Sequence, residues 1–100
     1  MPDGAKNVQK GYIFGTLYSR EGLDLKTKQM TTITALALLG NAKPQLAYHI
    51  NCGLNIGLTR KEIVDLFIHL SGYAGFPIAL NSIATAKEVF KDRDEKGVSN

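Results

Sequence analysis

The stretch Pro44–Glu62, PQLAYHINCGLNIGLTRKE, decides the fold. Pro44 suits the first turn of a helix, where its missing N–H would have no partner anyway. At about 100° per residue, Leu46, Ala47, Ile50, Gly53 and Leu54 share one face. Tyr48, Cys52 and Ile56 lie toward the other side, and Asn51 and Asn55 leave only a narrow polar strip. A helix apolar nearly all round belongs at the centre of a bundle or between subunits. Gly57 stops it. Thr59 and Glu62 then have the spacing of a capping box, with each side chain reaching the other's backbone N–H, which opens the next helix.

Working outward, the same punctuation recurs. A first helix is expected from about Lys6 to Tyr18, with Val8, Tyr12, Ile13 and Leu17 on its apolar side. The run SREGLD breaks it, and Asp24 can cap a second helix over Leu25–Leu39. Gly40 and Asn41 end that helix, glycine being suited to the left-handed position after a helix terminus. The third helix is expected over Pro44–Ile56 and the fourth over Arg60–Ala74. GYAGFP breaks the fourth, and Pro77 begins a fifth that reaches about Asp92. Period-two alternation never persists, so strands are not expected. Five helices with short loops make one all-α bundle over residues 1–100, with a polar tail from about 93 expected to fray.

Composition sets limits. One hundred residues with 44% apolar side chains and no tryptophan build one modest core, and oligomerisation is a common remedy for that. The net charge of +3 is scattered, and no basic stripe alternates with aromatics, so nucleic-acid binding is not expected. The longest apolar run is too short to cross a bilayer. A single cysteine and no visible secretion signal fit a cytoplasmic protein.

Few residues can carry chemistry. Cys52 has no second thiol to resolve a redox adduct, and two histidines with one cysteine make no zinc spacing. A nucleophilic Cys52–His49 pair is conceivable; a small packed thiol is the simpler reading. His49, at the margin of the apolar face, can exchange a proton near neutral pH, or can simply be hydrogen-bonded in the core. Asp65, His69 and Tyr73 form a column at four-residue spacing, either an oriented imidazole or an exposed helix pair. Lys28 could meet an anion or simply face solvent.

Three segments, FGTLYSREGLDLKTKQM, LAYHINCGLNIGLTRKEI and HLSGYAGFPIALNSIATAKEVF, together resemble the carboxymuconolactone decarboxylase family, over about Phe14–Phe90. The resemblance implies an all-helical, alkylhydroperoxidase D-like fold that assembles as a trimer or hexamer. The decarboxylase typically carries a further amino-terminal segment, so this chain resembles a short member. The hydroperoxidase branch carries Cys-x-x-Cys-x-x-x-His with a glycine eight residues after the histidine. His49 and Gly57 fit that spacing, but the two thiol positions fall on Gln45 and Ala42, and the acidic relay position falls near Gln29. Cys52 lies on the wrong side of His49 to replace them.

The decarboxylase branch acts in aromatic-compound breakdown and needs no cofactor, because the lactone carbonyl and its conjugated alkene absorb the electrons left by departing carbon dioxide. The resemblance implies His49 as the catalytic acid, and His69, Tyr73 and Lys28 as substrate-binding residues. Lys28 stands where the family usually has arginine, keeping the charge but losing the fork. The expected function is a cofactor-free decarboxylase, a lyase of a small carboxylated lactone or related acid. A peroxiredoxin-type activity and a non-catalytic ligand-binding oligomer are the alternatives.

Overall fold

A computed structural model describes residues 11–98. Those residues form a short π-helical segment, Gly11–Leu17, followed by four α-helices: α1 (Leu25–Leu39), α2 (Lys43–Asn55), α3 (Arg60–Ala74) and α4 (Phe76–Glu95). No strand occurs among them.

The helix ends follow local chemistry. Asp24 accepts the Thr27 N–H at 2.8 Å and starts α1. Gly40 ends it at φ 73°, where a side chain would be strained. The capping box at α3 is complete: Thr59 Oγ1 accepts the Glu62 N–H at 3.0 Å, and Glu62 Oε1 accepts the Thr59 N–H at 2.9 Å. Such a cap is worth about 1 kcal/mol.

α1 packs on α2, α3 on α4, and both α1 and α2 also meet α4. Phe67, Ile33, Ile50, Leu54, Leu58 and Ile63 are the largest wholly buried side chains. Gly53 lets α2 approach its neighbours closely, since a Cβ there would stand 2.8 Å from Leu58 Cδ1 and 3.3 Å from Ile33 Cδ1. α2 therefore buries one face, against α1 and α4, and unlike the central helix expected from its nearly all-round apolar pattern it leaves Tyr48 half exposed on the other side.

Two boundaries differ from the sequence expectation by more than one residue. α4 runs to Glu95, three residues past Asp92, because tertiary contacts hold its last turn. Arg93 is buried and donates to Asn51 Oδ1 at 3.0 Å and Asn55 Oδ1 at 3.1 Å, which accounts for the polar strip on α2. Arg60 pairs with Asp94 at 2.7 Å. At the other end, the first helix is π-helical over its described part, and Tyr12 and Leu17 are exposed rather than packed. Lys6 and Val8 lie outside the described residues. Among the described residues no helix is long and apolar enough to cross a membrane.

Candidate functional site

His49 sits on the buried face of α2, one residue before Ile50, and is 6% exposed. Its Nδ1 lies 3.4 Å from Oε1 of Gln29, which is 3% exposed on α1. With the amide oxygen as acceptor, Nδ1 carries the proton. Tyr48 meets the imidazole edge-on, ring centroids 5.3 Å apart. Burial holds the His49 pKa below the usual imidazole value of 6.5, so the resting ring is neutral near pH 7.

The imidazole lines a cavity of about 510 Å³ between α1, α2 and residues 17–23. Leu17, Leu23 and Leu36 give it apolar walls, and its charged and amide side chains are Arg20, Glu21, Lys28 and Gln45. The loop that closes it is tied down from α1. The Lys28 ammonium donates to the carbonyls of Leu17 at 3.2 Å, Tyr18 at 3.0 Å and Arg20. Thr32 Oγ1 spends its hydrogen on the Lys28 carbonyl at 2.9 Å, so the Tyr18 hydroxyl donates to Thr32 at 2.5 Å.

Lys28 thus stands in the cavity wall with all three N–H groups engaged by backbone carbonyls. In the sequence Arg20 is only part of a helix break. Its carbonyl is held by Lys28, while its guanidinium has no ion pair among the described residues. A charged loop residue looks like a solvated one until tertiary structure puts it beside a pocket, so no local signal marks Arg20. Gln29, near which the family resemblance places the missing acidic relay residue, is the side chain that meets His49.

The structure does not bring His69 or Tyr73 to this cavity. Both are on α3, with ring centroids 5.5 Å apart, and both are exposed; Tyr73 is 82% exposed. Asp65, the third member of that column, pairs with Lys61 at 2.7 Å instead of orienting His69. Cys52 is half-buried one turn beyond His49, and burial pushes its thiol pKa up, with the Tyr48 hydrogen bond opposing. A thiol so placed is a poor thiolate source.

A profile described as the carboxymuconolactone decarboxylase family matches residues 5–88. The chain is 36% identical over 87 residues to 4-carboxymuconolactone decarboxylase of Acinetobacter baylyi, covering 87% of this chain and 64% of that protein. It is 34% identical over 84 residues to an uncharacterized 15.0 kDa protein of Paracoccus denitrificans, covering 83% and 63%. It is 28% identical over 86 residues to nitrosuccinic acid decarboxylase of Metarhizium robertsii, covering 86% and 59%. The chain spans less than two thirds of the length of each of these relatives.

Proposed function

The chain belongs to the carboxymuconolactone decarboxylase family, and from that premise we propose that it is a cofactor-free decarboxylase of a small carboxylated lactone or a related acid. The observation that carries this reading is a buried imidazole lining a cavity with Arg20, whose guanidinium has no ion pair among the described residues. Two relatives named as decarboxylases act on different acids by their names, so the shared chemistry is loss of carbon dioxide rather than one substrate skeleton.

In this reading the Arg20 guanidinium takes the substrate carboxylate, and Lys28 positions Arg20 by holding the backbone of the segment that carries it. An apolar wall keeps water scarce, which strengthens charge interactions inside. The arriving carboxylate places a negative charge near the imidazole and raises its pKa, so His49 gains a proton only when substrate is present. The carbon–carbon bond to the carboxylate breaks, carbon dioxide leaves, and its electron pair passes into the conjugated lactone carbonyl as a dienolate. His49 then delivers its proton to carbon, regenerating neutral imidazole and the decarboxylated lactone. Gln29 fixes the tautomer by accepting from Nδ1, so Nε2 is the nitrogen that exchanges the proton.

The peroxidase reading has little support in the residues: the thiol positions of that branch are Gln45 and Ala42, and the Cys52 thiol is pushed up. Association of protomers belongs to the same proposal. Leu39, Ile68, Tyr73, Phe76 and Leu80 are all more than half exposed, an unusual amount of apolar surface for a small chain. His69 and Tyr73 would reach a substrate only in such an assembly. Light scattering is expected to give three or six subunits; a monomer at micromolar concentration contradicts the assembly.

The enzymatic test is release of carbon dioxide from a carboxylated muconolactone by the full chain, with Arg20→Gln beside it. Arg20→Gln is expected to raise KM about tenfold or more, as loss of a charged hydrogen bond does. Peroxide consumption without carbon dioxide release from any lactone acid would sink the proposal.

A further inference from the structure

A second cavity, of about 350 Å³, opens between the end of α1, the start of α2 and the first half of α4. It shares only Leu36 with the His49 cavity. Leu36, Leu46, Pro77 and Ile78 make it apolar, while Lys43, Ser82 and Thr85 bring polar groups. The proposed decarboxylation uses none of these three.

Ser82 is the sharpest feature. It is 3% exposed, yet its hydroxyl has no hydrogen-bond partner among the described residues. Among those residues every side-chain polar atom sealed from solvent does have a partner, so the Ser82 oxygen is not sealed: it opens to the cavity the residue lines. A mid-helix hydroxyl ordinarily bonds the carbonyl four residues back. Thr85 does so, donating to the Asn81 carbonyl at 3.1 Å; Ser82 makes no such bond among the described residues, which leaves its hydrogen uncommitted.

The amino terminus of α2 lies on the same wall. Its N-cap, Ala42, has no capping side chain, and Pro44 in the first turn has no N–H. The N–H groups of Lys43 and Gln45 find no acceptor among the described residues. Thirteen residues of helix therefore present an uncapped positive end beside an uncommitted buried hydroxyl. The Lys43 ammonium adds a full charge. Its only ion pair among the described residues is with Glu88 at 3.1 Å, and both side chains are 63% exposed, so the pair is weak and easily rearranged. The nearby Glu88 carboxylate disfavours a multiply charged ligand, and the apolar walls disfavour a bare inorganic ion.

We propose that this cavity binds a small monocarboxylate with a short apolar body. The carboxylate accepts from the Ser82 hydroxyl, the Lys43 ammonium and the first amides of α2, and the body lies on Leu36, Leu46 and Ile78. The size sits at the low end of small-molecule sites. This site stands independently of the decarboxylase reading.

The test is an amide NMR titration of the full chain with benzoate, and with neutral benzamide as the control. Saturable shifts centred on Lys43, Gln45, Ser82 and Thr85 are expected with benzoate, and much weaker ones with benzamide. Ser82→Ala is expected to weaken benzoate about five- to tenfold, the range for one hydrogen bond to a charged acceptor. Lys43→Met, at an exposed position that does not hold the fold, is expected to weaken it as well. Shifts confined to the His49 cavity, or unchanged benzoate affinity in both variants, overturn the proposal.

Discussion

The chain has two histidines, and the fold treats them oppositely. His49 on α2 is sealed beside a neutral amide and faces a cavity; His69 on α3 is exposed, with Tyr73 as its ring neighbour. Each lies next to a core residue in sequence, Ile50 and Leu70. What separates them is what stands across from each helix. α2 has α1 against its His49 side, whereas the His69 side of α3 meets no other described helix closely enough to cover it. Chemistry that needs a dry acid can use the first; the second can contribute only where another surface covers it.

The sharpest way to break this comparison is substitution at both positions. Glutamine keeps size and hydrogen bonding but cannot carry a proton near neutrality. His49→Gln is expected to lower kcat by about 10²–10⁴-fold, the range for a general acid, with the fold intact by circular dichroism. His69→Gln is expected to change KM more than kcat, and only in the assembled protein. Equal losses of kcat in both variants would erase the distinction.

A smaller effect concerns stability. Folding lowers the His49 pKa below 6.5 by burial. Above that value the ring is neutral in both folded and unfolded chains and adds no pH dependence. As pH falls through the unfolded value, the unfolded chain takes up a proton that the folded chain resists, so stability drops; the drop stops below the folded pKa. Urea midpoints measured down through pH 6 are expected to fall for the wild type, and to fall less for His49→Gln. An identical fall in both would place the responsible group elsewhere.

How much of this was legible beforehand depends on the range of the interaction. The limits of α1 and α3, the Asp24 cap and the Thr59–Glu62 box are set by residues within four positions of one another, and they read directly from sequence. The buried face of α2 follows from its apolar pattern, but its apolar far side does not put it at the centre: α1 and α4 each pack against three helices, α2 against two. The end of α4 did not, because Arg93 is held by Asn51 and Asn55 some forty positions away. The same holds at the cavity. His49 was legible from its pattern and the family resemblance. The commitment of Lys28 to three carbonyls, the placing of Arg20, and the Ser82 cavity all depend on segments meeting in space. The Asp65–His69–Tyr73 column shows the converse: good helical spacing, but Lys61 four residues earlier takes the carboxylate.

In the proposed reaction the His49 imidazole, tuned by the neutral Gln29 amide, donates the proton. Gln29→Glu tests it most directly, because it retunes the ring without removing it. A carboxylate 3.4 Å from Nδ1 in place of the amide favours the imidazolium and raises its pKa. A donor must be protonated to act, so decarboxylation falls as pH rises past its pKa. The alkaline limb of the kcat profile is expected to move to higher pH in Gln29→Glu, in step with the His49 imidazole titration followed by NMR. An imidazole titration that moves while the alkaline limb stays in place would contradict it.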